Sequence, residues 1–568
     1  MPMSEPAAGS AASYVRGDTG AALLTDTIGT AFDRAVARYG ERTALVVCHQ
    51  QVAWTYLELK RHVEALAAGL FRLGLVPGDR IGIWAPNRAE WTVTQYAAAK
   101  LGLILVNLNP AYRLAEIEFA LNKVGCKALV LADQFRTSNY IEMLRTLAPE
   151  LDRSPPGKLK AARLPALEIV IQMGSECRPG FFRFDEVAEL GSDVDRRDLI
   201  GFASRLQCDD PINIQFTSGT TGTPKGATLS HRNLLNSSYF TGEICGIASA
   251  DAICVPLPLY HVFGMAMGNL LAMLFGAKIV HPCEAFEPDA VLKAIERERC
   301  TSLYGVPTMF IAELARPDFK HHDLSSLRTG IIAGASVPME LMRRVIADMG
   351  MEQVVIGYGM TETSATIMIT SPTDPAELRV STVGRVAPHV EAKVINERSE
   401  IVPRGQVGEI CVRGYSVMLG YWEDAQKTAE AIDPDGWMHT GDLGTIDQDG
   451  YGRIVGRLKE LVIRGGENIS PAQIEEFLHR NPKIEMAQIV GVPDEKYGEE
   501  LCACIKLKSG ESLSEEELKE FCRGQIAHFK IPRYVRFVES FPMTASGKVQ
   551  KYLLAEQAAR ELGLLQRI

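Results

Sequence analysis

The chain has 568 residues, of which 46% are hydrophobic and 23% charged, and its formal net charge is −10. This length exceeds one compact core, because domains usually contain about 100–200 residues. A net negative charge without a local basic stripe excludes a typical nucleic-acid-binding protein. The 12 cysteines show no zinc-type spacing, so we interpret them as thiols of a reducing compartment and predict a cytoplasmic protein.

The N-terminal segment MPMSEPAAGSAAS contains no basic start followed by an apolar run, so no secretory signal is visible. We predict a flexible, solvated leader there. The most apolar segment, residues 262–277, has 16 residues and is interrupted by glycine. A membrane-spanning helix needs about 20 residues, so this segment predicts a buried helix and no integral membrane protein.

Helix and strand signals alternate over the first two thirds of the chain. Thr55 and Glu58 form a capping-box pattern before a helical series that ends near Gly74, and the strand-like run Arg80–Trp84 follows. Further strands are predicted at 127–132, 252–257, 302–306 and 353–357, and helices at 288–299 and 338–349. Strands separated by helices predict an α/β fold with largely parallel sheets.

The pattern changes after residue 375. Short strands without long helices between them, at 391–395, 409–412, 443–446 and 451–455, predict a small β-barrel-like unit, with a hairpin at Asp449-Gly450. From Gly456 onward, helix starts at Ser470-Pro471 and Ser514 alternate with strands at 486–490, 502–507 and 534–538. We therefore predict a large, multi-layer N-terminal domain with two α/β sheets at 1–456 and a small α+β C-terminal domain at 457–568.

The strongest local motif is TSGTTGTPKG, which runs from Thr217 to Gly226 after the strand-like residues 212–216. Its three glycines allow close backbone approach to a ligand, and its hydroxyl groups and Lys225 suit phosphate oxygens. The motif is not a Walker P-loop, because Pro224 precedes the lysine and Gly226 follows it. This order disfavours a P-loop NTPase or kinase, and hydrolase motifs of the GxSxG and HExxH types are absent.

With five further motifs in the same order, this loop resembles the signature of the adenylate-forming superfamily. The five are PLYHVFGM (258–265), YGMTET (358–363), HTGDLG (439–444), GRLKELVIRGGENISP (456–471) and PMTASGKVQK (542–551). The resemblance extends over nearly the whole chain, and is greatest to the medium-chain fatty acyl-CoA ligases, which include acyl-CoA synthetase family member two. It implies an ATP-dependent ligase that forms an acyl-adenylate and passes the acyl group to coenzyme A.

The resemblance also implies the residues that bind ATP. The phosphate loop would comprise Thr217, Ser218, Gly219, Thr220, Thr221, Gly222, Thr223, Pro224 and Lys225. The adenine and α-phosphate site would comprise Gly334, Ala335, Ser336, Gly357, Tyr358, Gly359, Met360 and Thr361. Asp442 and its partner Arg457 would hold the ribose, since a carboxylate can accept hydrogen bonds from both hydroxyls.

Four residues are implied to be catalytic: Lys548, Glu362, Thr361 and Lys225. Glu362 would help to hold Mg²⁺, a hard cation that prefers oxygen ligands. Lys548 would stabilise the negative charge that develops between carboxylate, α-phosphate and pyrophosphate. No general base is expected, because the acid is already a carboxylate at neutral pH.

The remaining implied sites concern the acid, coenzyme A and the hinge. The acid pocket is expected to include Tyr239, Phe240, His261, Val306, Gly334 and Gly359. Coenzyme A would meet Arg464, Gly465 and Gly466 after the C-terminal domain rotates about Lys459, so that one active site runs two steps.

Several alternatives stay open at the level of sequence. An aryl-CoA ligase or an enzyme that loads a carrier protein would use the same motifs, and a luciferase-like oxygenase would use the same adenylate. A non-catalytic acyl-binding protein is disfavoured by the presence of Lys548, Glu362 and Asp442. The resemblance implies a small carboxylic acid as the partner, and the sequence does not distinguish a monomer from a homodimer.

Overall fold

The computed structural model describes residues 11–191, 199, 201–217, 224–335, 337–464, 467–494, 496–544 and 547–564, with residues 467–468 as backbone. The predicted α/β fold is confirmed: helices alternate with the strands of two large, mainly parallel sheets. In the first 456 residues, the α-helices that the structure describes in full are Ile28–Tyr39, Tyr56–Arg72, Ala89–Leu101, Leu114–Lys123, Tyr140–Leu147, Phe184–Leu190, His231–Ile244, Leu271–Phe275, Pro288–Glu298, Pro307–Leu314, Met339–Met349, Ala376–Ser381 and Ala425–Ala431.

The first large sheet has eight strands. Its first six strands run parallel, and the last two are antiparallel to their neighbours. In spatial order they are Phe182–Arg183, Ile169–Gln172, Ala128–Leu131, Arg80–Trp84, Ile104–Asn107, Pro211–Thr217, Lys225–Ser230 and Gly420–Tyr421. The two strands on either side of the TSGTTGTPKG loop are thus direct neighbours, joined from Thr217 to Lys225.

The second large sheet has nine strands, parallel in its centre and antiparallel at both edges. In spatial order they are Arg385–Val386, Met368–Ile369, Gln353–Tyr358, Thr329–Ala333, Ser302–Gly305, Ala252–Cys254, Lys278–His281, Thr43–Val47 and Val52–Thr55. The strand predicted at 252–257 ends early, at Cys254, because the chain then reaches Pro256 and Pro258, which supply no backbone donor.

The apolar segment folds as a buried helix, as predicted, but mostly in the wide π form at Phe263–Leu270, continuing as Leu271–Phe275. Short π segments are often found at functional sites. Among the residues that the structure describes, no helix is both long and apolar enough to cross a membrane. The capping box at Thr55 and Glu58 is also confirmed, with both reciprocal hydrogen bonds present.

The small β unit is an antiparallel sheet of five strands: Tyr14–Arg16, Val390–Ile395, Gly408–Gly414, Met438–Ile446 and Gly452–Arg457. In the described parts of the chain its two edge strands do not pair with each other, so the sheet is open rather than a closed barrel. The predicted flexible leader is wrong for its last residues: Ala12 bridges to Pro403, and buried Ser13 donates to the Pro403 carbonyl oxygen.

The C-terminal region forms a further five-stranded sheet around its own apolar core. Its strands are Glu467–Ile469, Val462–Arg464, Gly498–Leu507, Ile484–Asp494 and Tyr534–Phe537, and its helices are Pro471–Leu478, Glu515–Cys522 and Lys551–Glu561. Ser514 caps its helix as predicted, with Glu517 completing the box. Ser470 does not cap the helix that follows it, because its hydroxyl donates instead to the Val455 carbonyl oxygen.

The cysteines agree with a thiol-containing, disulfide-free chain: all 12 are free. Cys502 and Cys504 are both buried in the Gly498–Leu507 strand, as two apolar side chains on one face of a strand should be.

Candidate active site

A cavity opens at the carboxyl ends of three neighbouring parallel strands, Ser302–Gly305, Thr329–Ala333 and Gln353–Tyr358. This is the edge at which open α/β sheets commonly bind ligands. One wall is apolar and comes largely from the segment around the π helix and from the strands themselves: Leu257, Val262, Phe263, Met267, Ile331 and Ile369. The cavity therefore suits a ligand with an apolar part.

Most of the sequence-predicted residues that the structure describes near this edge line the cavity: His261, Val306, Gly334, Gly357, Gly359, Met360, Thr361 and Lys548. Tyr239 and Phe240 do not. Phe240 packs in a separate apolar cluster with Val390 and Tyr415, and Tyr239 stacks on Phe275 with ring centroids 5.8 Å apart. Their helix, His231–Ile244, packs behind the cavity wall, and its Thr241 contacts the lining residue Thr366 through a hydrogen bond.

Met267, which also lines the cavity, lies in the apolar segment 262–277 that the sequence predicted to be buried. Sequence reasoning missed other lining residues, among them Ala365, Thr366 and Ile369. These three follow YGMTET, where the chain turns back into the antiparallel strand Met368–Ile369. Their proximity depends on that turn, which no residue spacing indicated.

Glu362 lies in the short 3₁₀ turn Thr361–Thr363 and is buried. Its Oε1 accepts hydrogen bonds from the Thr217 hydroxyl at 3.1 Å and from the Tyr421 hydroxyl at 3.0 Å. The Lys225 ammonium stands 4.8 Å from the centroid of the Tyr421 ring. The fold thus joins both ends of the phosphate-type loop to Glu362, and Tyr421, which sequence reasoning missed, connects them.

Asp442 is buried in the strand Met438–Ile446, directly opposite Arg457 in the sheet register. Its Oδ1 pairs with Arg457 Nε at 2.8 Å, and its Oδ2 accepts a hydrogen bond from the Tyr358 hydroxyl, also at 2.8 Å. Burial raises the pKa of Asp442, against the opposing effects of Arg457 and Tyr358. Three residues that are distant in sequence therefore form one connected polar group.

The backbone before Asp442 is shaped by Gly441, which has φ +69°, a conformation that favours glycine. The Gly441 N–H donates to Glu409 Oε1 at 3.1 Å, and Glu409 Oε2 pairs with His439 Nδ1 at 2.9 Å. Glu409 thus holds the HTGD segment at two points, Gly441 and His439. Neither Glu409 nor His439 was predicted, since their contact requires two strands that are far apart in sequence.

Lys548 reaches the cavity from the C-terminal region. Its Cε lies 3.2 Å from the position that a Cβ on Gly334 would occupy. Protein atoms surround the Lys548 side chain, but part of its surface remains accessible to solvent, because the cavity that it lines is open. Burial, followed by the Arg457 guanidinium, lowers the pKa of Lys548, and Asp442 and Glu362 oppose this effect.

His261 is a neutral group at the cavity. Burial, followed by the charge of Lys548, lowers the pKa of His261 to about 3. Its Nε2 has no hydrogen-bond partner among the described residues. A neutral imidazole that lines the cavity and does not titrate near neutral pH is suited to contacting a ligand rather than to transferring a proton.

The other predicted residues lie apart from the cavity or outside the described residues. Arg464 is held in the C-terminal sheet by Glu500, with Nε and Oε1 2.6 Å apart, and it lies over the Tyr497 ring. Lys459 is exposed in the 3₁₀ turn Leu458–Glu460, Ala335 is exposed just after the strand Thr329–Ala333, and Pro224 directly precedes Lys225–Ser230. The predicted site residues outside the described parts are Ser218, Gly219, Thr220, Thr221, Gly222, Thr223, Ser336, Gly465 and Gly466.

Comparison with known protein families identifies the family to which this chain belongs. The model of the AMP-binding enzyme family matches residues 32–422, and that of the AMP-binding enzyme C-terminal domain matches residues 473–548. The chain belongs to the AMP-binding enzyme family. The two matched regions contain the lining residues Thr361 and Lys548 respectively, so the cavity of this AMP-binding enzyme draws residues from both.

Curated relatives cover almost the whole AMP-binding enzyme. The medium-chain acyl-CoA ligase ACSF2, mitochondrial, of Danio rerio is 48% identical over 555 residues, which are 97% of this chain and 91% of that protein. The putative acyl-CoA synthetase YngI of Bacillus subtilis (strain 168) is 44% identical and covers 96% and 99% of the two chains. Among solved structures, ATP-bound MatB from Rhodopseudomonas palustris superposes with a TM-score of 0.80 at 28% identity, covering 94% of this chain and 99% of that one.

Proposed function

We propose that this AMP-binding enzyme is a medium-chain fatty acyl-CoA ligase. It activates a fatty acid with ATP as an acyl-adenylate and transfers the acyl group to coenzyme A, with release of AMP and pyrophosphate. The observation that carries this proposal is the largely apolar cavity lined by Lys548, which is near enough to Glu362 and Asp442 for their charges to affect its pKa. The names of the full-length relatives support the same substrate class.

ATP is proposed to lie across the mouth of the cavity. Asp442 and Arg457 bind the ribose, with the Tyr358 hydroxyl fixing the orientation of the carboxylate. Lys225 and Thr217 bind phosphate oxygens, and Thr361 contacts the α-phosphate. Glu362 offers the hard carboxylate donor that Mg²⁺ prefers, and the bound ion would neutralise part of the triphosphate charge.

In the first step, a carboxylate oxygen of the acid attacks the α-phosphorus, and the bond from that phosphorus to pyrophosphate breaks. The Lys548 ammonium stabilises the negative charge that accumulates on the oxygens of the transition state. Burial in the cavity makes this interaction stronger than it would be in water. His261 stays neutral and contacts the acid, and its low pKa agrees with a step that needs no general base.

In the second step, the sulfur of coenzyme A attacks the acyl carbon, the bond from that carbon to the AMP oxygen breaks, and the thiol proton is released to solvent. We propose that the boundary between a domain at 1–456 and a domain at 457–568 acts as the hinge, with Lys459 as pivot. Rotation would withdraw Lys548 and bring Arg464, Gly465 and Gly466 to the cavity. The exposed position of Lys459, between the strands Gly452–Arg457 and Val462–Arg464, supports this role.

The chain length of the acid tests the proposed substrate class. Each methylene buried in the cavity is expected to contribute about 0.8 kcal/mol, so kcat/KM should rise by at most about fourfold per carbon until the cavity is full. We expect an optimum at medium length when C4 to C16 acids are assayed for AMP release with coenzyme A. Met267→Ala should move the optimum to longer acids. Met265→Ala, two residues away in the same helix and outside the lining, should not.

An optimum at acetate, or a best substrate of benzoate or cinnamate type with a flat response to alkyl length, would contradict the medium-chain assignment. The second of these outcomes would support the aryl-CoA ligase alternative. Either would leave the AMP-forming ligase reaction in place, because the nucleotide residues are common to all of these enzymes.

Tyr358→Phe tests the ribose site by removing one hydroxyl and keeping the ring. Loss of the hydrogen bond to the Asp442 carboxylate should raise the KM for ATP roughly tenfold, because hydrogen bonds to charged groups contribute about 1.5–3 kcal/mol. Tyr415→Phe is the matched control, since the buried Tyr415 hydroxyl has no partner among the described residues. Equal KM values for ATP in the two variants would refute the role of Tyr358.

The cellular site and the assembly state remain predictions. The sequence predicts a cytoplasmic protein, whereas the Danio rerio relative is described as mitochondrial. Fractionation of cells that express the native chain distinguishes the two. Light scattering of the purified enzyme separates a monomer from a homodimer.

A further inference from the structure

Hydrogen bonds connect Thr544, Gly547 and Lys548 within the turn that carries Lys548. The Thr544 N–H donates to the Lys548 carbonyl oxygen at 2.7 Å, and the Gly547 N–H donates to the Thr544 carbonyl oxygen at 3.0 Å. The Lys548 N–H donates to the Thr544 hydroxyl oxygen at 3.0 Å. These bonds set the shape of the turn, but they do not determine where the turn lies relative to the cavity.

Among the described residues of the turn, Gly547 is hydrogen-bonded to the N-terminal part of the chain. Thr308, the second residue of the helix Pro307–Leu314, donates its hydroxyl to the Gly547 carbonyl oxygen at 2.9 Å. Gly547 has φ +78°, and a Cβ there would lie 3.1 Å from Thr308 Oγ1 and 3.2 Å from Val306 Cγ2. The absence of a side chain at Gly547 therefore permits the close approach that the hydrogen bond needs.

The same helix makes an apolar contact with the C-terminal region. Ile311 packs against the cluster that includes Phe541 and Leu554, and it also contacts the apolar core beneath its own helix. Thr308 and Ile311 are three residues apart, so their side chains lie on one face of the helix. A polar and an apolar contact therefore occur side by side on one surface.

The contact between helix Pro307–Leu314 and the C-terminal region offsets an electrostatic cost of placing Lys548 in the cavity. Lys548 brings its positive charge into the cavity near the Arg457 guanidinium, and both partial desolvation and that second positive charge lower its pKa. Contacts made only when the turn is docked would offset this cost. Val306, which lines the cavity, directly precedes the helix, so the docking surface is continuous with the wall of the site.

We infer that the face of helix Pro307–Leu314 formed by Thr308 and Ile311 is the surface on which the C-terminal region docks to place Lys548 for adenylation. Thr308 and Ile311 are positioning residues, since they act through the turn and not on the substrate. This inference rests on the proposed function, because it assigns the docked arrangement to the first of two steps. It predicts that loss of either contact slows adenylation and spares thioester formation.

Thr308→Val keeps the shape of the side chain and removes the hydroxyl donor. Acid-dependent exchange of pyrophosphate into ATP should fall roughly 2- to 13-fold, the equivalent of one net hydrogen bond. Thioester formation from supplied acyl-AMP and coenzyme A should stay at the wild-type rate. Thr308→Ser should retain near-wild-type exchange, because it keeps a hydroxyl at the same position.

Ile311→Ala should slow exchange in the same selective way. Ile401→Ala is its control, since Ile401 is an exposed isoleucine that bridges to Ile395 at the margin of the small sheet. Thermal unfolding of each variant shows whether the fold is intact. Unchanged exchange in Thr308→Val, or equal loss in both half-reactions, would overturn the docking role. A wild-type enzyme without acid-dependent exchange would refute the proposed function itself.

Discussion

Lys548→Ala is expected to lower the rate of acyl-adenylate formation by about 100- to 1,000-fold, the range for loss of one electrostatic contact to a transition state. The physical reason is the location of Lys548 inside the cavity, close enough to Asp442 and Glu362 for their charges to influence its pKa. Thioester formation from supplied acyl-AMP and coenzyme A should be nearly unchanged. Pyrophosphate exchange and thioester assays on the same preparation measure the two steps.

Lys548→Arg serves as the charge-retaining control. The lowered pKa of Lys548 implies that wild-type adenylation declines at a more weakly alkaline pH than an ordinary lysine would give. Arginine stays protonated throughout this range, so any activity that the variant retains should lack this alkaline decline. Equal loss of both half-reactions in Lys548→Ala, or an alkaline decline that persists in Lys548→Arg, would be incompatible with the assigned role.

Lys459→Pro is expected to slow thioester formation about tenfold or more and to leave adenylation close to the wild-type rate. Proline restricts φ to about −65°, which should obstruct rotation at the proposed pivot. The residue is exposed in a short turn, so the substitution need not disturb a packed core. Single-turnover measurements of each half-reaction give the ratio directly.

Lys459→Ala is the matched control, because it removes the same side chain and leaves the backbone free to rotate. If the proline and alanine variants lose thioester formation to the same extent, the side chain rather than the backbone is responsible. If both variants retain wild-type rates for both steps, the hinge lies elsewhere in the turn or in its flanking strands.

The sequence predicted the alternating core well, because helix caps and apolar periodicity act over a few residues. Thr55 with Glu58 and Ser514 with Glu517 both form the expected capping boxes. Ser470 shows the limit of such signals: its hydroxyl had a second partner, the Val455 carbonyl, supplied by a strand that precedes the turn at residues 458–460. A local motif does not reveal a competing partner that the tertiary fold provides.

The candidate site was predicted only in part, because tertiary packing decides which residues meet there. Motif residues such as Glu362 and Asp442 were recognised by resemblance, and the structure adds their partners Thr217, Tyr421 and Tyr358. Tyr239 and Phe240 were expected at the cavity and pack behind it, since their helix turns another face toward the site. Which face of a mostly buried helix meets a cavity is decided by packing, and most residues of that helix are buried.

The first strand of the small sheet has a consequence for biosynthesis. Tyr14 pairs with Lys393, so this strand stays without its partner until about 380 further residues have been translated. At about 5–20 residues per second, this delay is roughly 20–75 s. The small and polar residues that precede Tyr14 suit such a wait, because a nascent segment poor in β-branched and aromatic residues has little tendency to aggregate. The sheet that holds Asp442 is therefore completed late, after both large sheets have nearly all of their strands.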